Sequence, residues 1–430
     1  MADTSTRDRL AIVVGGGPAP GINGVICSVT LEAIRRGLDV VGVRDGFSNL
    51  IHGDTNRVTR LTASDVGLFY TRGGSMLGTA RTNPTKNPQH MAAVLTALAE
   101  LRVKYLVTIG GDDTAYSGSQ VYAQANGAIK AAHVPKTIDN DLPLPKGIPT
   151  FGFETARHLG AQTARALHED ARTTGRWYLI VSMGRAAGHL ALGIGKASAA
   201  TLTLISEEFP NKKVSMAGIR DIILGSMIKR KAEGKPYGLV VLAEGLLESI
   251  GEEGLKAIMS ENDIARYGKI VRDEHGHLRL GELDFGRMVC DQLEARMGPL
   301  GLKTSLVAKD LGYELRCADP IPFDVEYTRD LGYGAVKFLM SPDAANYGAI
   351  VSVVGGELKP LRFQDMIDPA TKRMRTREVD VAGVTYECAR QYMTRLEKAD
   401  FDDAAQLAAL AAAVNLSPAD FITQFGHLTG

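Results

Sequence analysis

No apolar run in this 430-residue chain reaches the ~18–20 residues that a membrane-spanning helix needs. Met1 to Arg9 is polar and lacks the apolar stretch of a secretory leader. Cysteine is scarce. Cys27, Cys290, Cys317 and Cys388 lie far apart, with no CxxC and no Cys/His cluster, so neither a zinc site nor a disulfide scaffold is indicated. There is no surplus charge of either sign, because 49 Lys and Arg balance 49 Asp and Glu. That balance disfavours a nucleic-acid binder, a polybasic membrane anchor and an acidic tail. The expectation is a cytoplasmic globular protein with two to four domains' worth of chain, binding neither nucleic acid nor membrane. Glycine is in excess: 47 residues, about one in nine against a usual ~7%. Such glycines serve tight turns and close backbone approach to a ligand.

Short apolar runs alternate with helical patterns. Leu10 to Val14 reads as a strand, a glycine-rich loop spans Gly15 to Gly24, and a helix follows to about Arg36. Gly37 caps it, and Val40 to Val43 is the next strand. Helix over 90–102, strand over Tyr105–Ile109, helix over 155–172, and strands at Trp177–Ser182 and Tyr237–Leu242 continue the pattern. Strands that are apolar throughout, alternating with helices, predict an α/β fold with mostly parallel sheets covered on both faces. Ligands of such sheets sit beyond the carboxyl ends of the strands. Those ends carry GGGPAPG, GGDD, SMGR and AEG. Lys269 to Leu280 reads as a hairpin, Ala404 to Val414 as a helix, and Ser417-Pro418 as the cap of a short last helix.

The Gly15–Gly24 loop contains no GK[ST] and is not a Walker A loop. Alone it is either a phosphate cradle or a tight turn. Asp112 and Asp113, adjacent at a strand end, are costly without a nearby cation. Mg2+ with phosphate co-ligands suits them, and a helix N-cap pair is the plainer reading. Pro135-Lys136-Thr137-Ile138-Asp139-Asn140-Asp141 crowds two carboxylates, a lysine and a hydroxyl. One carboxylate can take a sugar hydroxyl's proton while the lysine neutralises a transferring phosphoryl group. An Asx-rich turn is the alternative. Arg81, Arg176, Arg185 and Arg316 are candidate forks for phosphate. The histidines are given no chemistry.

In order, GGGPAPGIN at 15–23, LGTAR at 77–81, GGDDT at 110–114, PKTIDND at 135–141, MGR at 183–185, AEG at 243–245 and LGYELR at 311–316 resemble the phosphofructokinases over about 300 residues of the chain. The resemblance implies two Rossmann-like three-layer domains with the active site in the cleft between them. The donor domain is placed at 1–152 plus about 312–365. The sugar-phosphate domain is placed at 153–311 plus about 366–430. It further implies that Asp139 accepts the proton of the sugar's 1-hydroxyl, that Asp112 is the Mg2+-associated carboxylate, and that Asp141 supports both. Thr137, Asp139, Met183, Gly184 and Arg185 contact the sugar phosphate, Arg185 also stabilises the moving phosphoryl group, and Glu244 accepts a sugar hydroxyl. Tyr313 and Arg316 hold the 6-phosphate, and Arg176 matches an arginine supplied from a neighbouring subunit, so at least a homodimer is implied. Gly16, Gly17 and Arg81 fall on the donor side. One departure is Val307, where ATP-using members carry a second subunit-crossing arginine; Lys303 and Lys309 stand nearby.

The donor is indicated by three places, the first being GGGPAPG at 15–21, where ATP-using members of the resembled family read GGDAPG. ATP-using members of the resembled family read GGDG and PGTIDND, and this chain has Asp113 and Lys136 there. Asp113 fills, with volume and negative charge, the space a nucleotide's α-phosphate needs. Lys136 adds a cation for a small, highly charged donor. The expected reaction is reversible Mg2+-dependent transfer between pyrophosphate and fructose 6-phosphate, giving fructose 1,6-bisphosphate and phosphate. An ATP-dependent enzyme is the alternative. A non-catalytic sugar-phosphate-binding regulatory subunit would have lost the acidic pair or the PKTIDND base, and both are intact. A nicotinamide dehydrogenase lacks its ribose-binding carboxylate, since Arg44 follows Val43.

Overall fold

The computed structural model describes residues 7–271, 280–371 and 373–429. The expected hairpin over Lys269 to Leu280 falls largely outside the described residues. In chain order the strands are β1 (Arg9–Val14), β2 (Asp39–Val43), β3 (Val58–Arg60), β4 (Val103–Gly110), β5 (Lys130–Pro135), β6 (Trp177–Ser182), β7 (Leu202–Leu204), β8 (Gly238–Ala243), β9 (Leu306–Leu311), β10 (Ala349–Ile350), β11 (Val353–Val354), β12 (Glu357–Leu358) and β13 (Leu361–Arg362). Two compact units result. The first comprises Met1–Ala156 and Tyr313–Arg377, the second Arg157–Gly312 and Glu378–Gly430.

The first unit is built on a seven-stranded sheet of order β13-β10-β5-β4-β1-β2-β3. Its central pairs are parallel, and only the edge pairs β2–β3 and β10–β13 are antiparallel. Alternate side chains of each strand point to opposite faces. Leu10, Ile12 and Val14 therefore join one core with the Ile22–Arg35 and Pro322–Leu339 helices. Ala11 and Val13 join the other, with the Pro88–Glu100 and Asp112–Gln124 helices. The Ile22–Arg35 and Pro322–Leu339 helices approach closely because Gly24 faces Thr328 and Gly332 faces Ser28.

The second unit has a four-stranded parallel sheet of order β7-β8-β6-β9. β6 and β8 are buried along their whole length, which explains why both read as uninterrupted apolar runs. The Ala-rich segment is helical over Ala404–Ala413. Ser417 caps the Pro418–Phe425 helix by accepting the Asp420 N–H. Among the described residues no single helix is long and apolar enough to cross a membrane.

In each sheet one strand is flanked by neighbours the chain reaches in opposite directions. From β1 the chain goes to β2 on one side and returns to β4 on the other. The Ile22–Arg35 and Asp112–Gln124 helices consequently cover opposite faces, and the loops after β1 and β4 diverge. Such a switch point is where open α/β sheets bind ligands. β6, between β8 and β9, has the same position in the second unit.

Candidate active site

Three loops meet at the switch point of the first unit. The Gly15 N–H donates to the Ile109 carbonyl and the Gly16 N–H to Ala80 O, both at 2.9 Å, and Thr79 Oγ1 donates to Gly16 O at 2.7 Å. The glycine loop is thus tied to the end of β4 and to the segment carrying Arg81. Gly16 has φ +80° and Gly21 has φ +98°, the left-handed region that side chains rarely adopt. Gly17 has no room for a side chain, because the Arg316 guanidinium occupies the space a Cβ would take. Arg316 and Tyr313 belong to the first unit, with Gly16, Gly17, Arg81 and Lys136. Arg316 lies 5.4 Å from the Tyr313 ring centroid.

Lys136 follows β5 and is only 4% exposed. Its Nζ donates to the Gly17 carbonyl, and its own N–H donates to Gly110 O at 2.8 Å. Burial first, then the positive charge of Arg316 and Arg81, pulls the ammonium down to about 8, against the pull of Asp139 and Asp141. Three cations therefore converge on the glycine loop.

Asp112 and Asp113 open the 13-residue Asp112–Gln124 helix. Burial, then Asp112, raises the Asp113 pKa, while Lys86, Arg373 and the Asn83 hydrogen bond act against the rise. Asn83 Nδ2 holds Asp113 Oδ1 at 3.2 Å. Thr137 Oγ1 accepts the Asp139 N–H at 3.0 Å, turning the chain so that Asp139 and Asp141 flank Asn140, whose φ is +57°. Asp141 is held well above the usual carboxylate range by burial, then by Asp139 and Asp112. Three carboxylates close enough to repel one another are a setting that a divalent cation relieves. Among the described residues no three His, Cys, Asp or Glu side chains form a cage. Mg2+ keeps waters and phosphate oxygens and takes one or two carboxylates from a protein, a demand that Asp112, Asp139 and Asp141 can meet.

In the second unit, Met183, Gly184 and Arg185 leave the end of β6, and Glu244 leaves the end of β8. The Glu244 N–H donates to Ser182 O at 2.9 Å and the Gly245 N–H to Gly184 O at 3.2 Å, so the two loops are one backbone construction. Glu244 Oε2 accepts the Gly184 N–H at 3.3 Å. Burial raises the Glu244 pKa, and Arg185 acts against it. Arg185 itself is exposed. Arg176 is not brought to this group. It precedes β6 at the strand's opposite end, about 20 Å away along six residues. Val307 lies on β9 in register with Tyr178.

Three supporting residues escaped the sequence reading. His133, wholly buried on β5, donates from Nε2 to Gly110 O at 2.9 Å and accepts the Thr108 hydroxyl at Nδ1. The tautomer follows because a carbonyl only accepts. Burial drives its pKa down to about 3, so it stays neutral and fixes the turn before Asp112. Asp324, 0% exposed, accepts from the N–H groups of Gly152 and Thr155, each at 2.8 Å, and from Thr155 Oγ1 at 2.6 Å. Arg377 donates to Asn140. None of the three sits in a motif; their partners are distant in sequence.

The phosphofructokinase family profile matches residues 9–339. The chain is 48% identical to pyrophosphate–fructose 6-phosphate 1-phosphotransferase of Thermotoga maritima, covering 98% of this chain and 99% of that one. It is also 48% identical to the protein of that name from Naegleria fowleri, over 97% and 95%. Among solved structures it resembles the pyrophosphate-dependent phosphofructokinase of Nitrosospira multiformis with a TM-score of 0.65 at 17% identity, covering 95% and 92%, a likeness of fold. With the donor-side loops, the MGR turn and Glu244 each built on the carboxyl ends of parallel strands, the chain belongs to the phosphofructokinase family.

Proposed function

We propose that this chain transfers a phosphoryl group reversibly between pyrophosphate and the 1-hydroxyl of fructose 6-phosphate, yielding fructose 1,6-bisphosphate and phosphate. The observation that carries the donor assignment is the pairing of buried Lys136 with Arg81 at the glycine loop, with Asp113 at the start of the helix that follows β4. Two cations there call for a compact polyanion, and the Asp113 carboxylate opposes the extension that a nucleotide adds. Full-length relatives at 48% identity that carry the pyrophosphate enzyme's name support the same reading.

In this reading Asp139 accepts the proton of the sugar hydroxyl as its oxygen bonds to phosphorus. The phosphorus–oxygen bond of the anhydride breaks, and its electron pair leaves on phosphate. Lys136 and Arg185 balance charge on the phosphoryl group in transit. Asp112, with Asp141 beside it, is assigned to Mg2+, which when bound neutralises the phosphate oxygens of the donor. Thr137, Met183, Gly184 and Glu244 position the sugar, and Tyr313 and Arg316 take the 6-phosphate. Arg176, at the far end of β6 from Arg185, is assigned to a neighbouring subunit's sugar site, which makes the working form at least a homodimer.

The test is fructose 1,6-bisphosphate formation with pyrophosphate or ATP, in wild type and in Asp113→Gly/Lys136→Gly. Activity with pyrophosphate alone, lost in the double variant, is expected. Turnover with ATP alone overturns the donor assignment.

A further inference from the structure

We infer that Arg377 is the positioning residue of the catalytic loop: its guanidinium, fully engaged by protein acceptors, sets the conformation of residues 140–148 and so the directions of Asp139 and Asp141. The inference rests on the phosphotransferase reading above.

A guanidinium has five N–H donors in a fixed fork. Those of Arg377 make five hydrogen bonds to four acceptor atoms. Nε donates to Asn140 O at 3.2 Å. Nη2 donates to Asn140 O at 3.1 Å and to Asn140 Oδ1. Nη1 donates to Ile148 O at 2.9 Å and, more loosely, to Leu144 O at 3.4 Å. The Arg377 N–H adds a bond of 2.7 Å to Asp141 O. An arginine so occupied has no fork to offer a phosphate. It differs in this from Arg185, which is exposed.

The loop needs such a partner. Asp141 to Pro149 has no helix or strand and includes Pro143, Pro145 and Pro149, which lack N–H groups. Its carbonyls therefore have few local donors, and carbonyls near a core are rarely left unpaired. Leu142 and Leu144 are buried. Tyr327 serves the same segment, donating from its hydroxyl to Pro149 O at 3.0 Å, and the Thr150 N–H donates to Asn140 Oδ1 at 3.0 Å. Asn140 is where these bonds converge. It is the one residue between the two carboxylates, and its left-handed backbone reverses the chain between them. Holding its carbonyl and its amide from the Arg377 side chain, and the next carbonyl from the Arg377 backbone N–H, fixes Asp139 and Asp141 as a pair. A shift of about 1 Å in such a pair costs on the order of a hundredfold in rate.

The experiment compares wild type, Arg377→Met, Arg377→Lys, Asn140→Gly and the Arg377→Met/Asn140→Gly pair, measuring kcat, both KM values and thermal melting. Glycine keeps the left-handed backbone of position 140 and deletes only the amide. The expected result is a fall of about a hundredfold in kcat for Arg377→Met with both KM values within about threefold. Arg377→Lys should recover most of the melting temperature but less than a tenth of kcat, because an ammonium cannot reproduce the fork. The losses in the paired variant should be less than additive, since both changes remove the Arg377–Asn140 amide bond. Arg377→Lys within threefold of wild-type kcat overturns the inference, as does a KM increase that matches the loss in kcat. If Arg377→Met does not fold, Arg377→Lys and Asn140→Gly decide alone. A wild type inactive with pyrophosphate but active with ATP overturns the donor reading and leaves this comparison to be made with ATP.

Discussion

The donor-side loops of the first unit and the sugar-side loops of the second are built by one rule and charged by two. Each group sits on the carboxyl ends of parallel strands beside a switch point. The first unit, however, crowds Lys136, Arg81 and Arg316 around one glycine loop and adds Asp112, Asp139 and Asp141 beside it. The second presents a single partly buried glutamate and an arginine in water. Burial displaces Lys136 downward and Asp141 upward, toward values near those of the groups that exchange protons at working pH. On the proposed assignment, the larger shifts fall where bonds are made and broken, and the sugar is held by hydrogen bonds.

That contrast is most exposed at Asp139. Asp139→Ser should lower kcat about a thousandfold, within the range for loss of a general base, while fructose 6-phosphate binding by calorimetry stays within a few-fold. A near-wild-type rate sinks the assignment of the proton acceptor. Glu244→Gln should show the opposite pattern, a KM for fructose 6-phosphate raised about tenfold with kcat within threefold, as loss of a charged hydrogen-bond acceptor entails. A kcat loss as large as that of Asp139→Ser would erase the distinction between the two units.

The smallest expected effect is one of pH. Lys136 is charged below about 8 and neutral above. Capture of pyrophosphate, read as its kcat/KM, should fall as pH rises through about 8, while fructose 6-phosphate affinity does not follow. Stability runs the other way. The native pKa lies below the ordinary lysine value of 10.5, so the unfolded chain holds more protons between about 8 and 10.5 and stability rises with pH across that window. Lys136→Met should flatten both profiles. A kcat/KM profile unchanged in that variant places the titration elsewhere.

Much of this was legible in sequence for a physical reason. Strands buried on both faces are written as apolar runs, and the run read at Trp177–Ser182 is β6 itself. Motif residues such as Asp112, Lys136 and Glu244 announce themselves because their chemistry needs particular side chains at strand ends. Two-residue strands such as β10 and β13 leave no pattern to read. Neither do Arg377, 237 residues from its partner Asn140, and Asp324, 172 from Gly152. Such residues are defined by tertiary contact alone. Reading every histidine as without chemistry fits His133, though its hold on the Gly110 carbonyl gives it a structural task that no local signal marks.

The order in which the sheet is assembled has a consequence for synthesis. β5 pairs with β10, and the whole of residues 157–312 is translated between them. At about 5–20 residues per second, the outer edge of β5 emerges tens of seconds before the strand that covers it. During that interval the nascent chain displays an open β-edge beside an unfinished core, which is the form most prone to pair with a neighbour. Slowed translation of the intervening stretch should therefore raise aggregation of this protein more than slowed translation after Ile350, and a holdase chaperone at the ribosome would act on that edge.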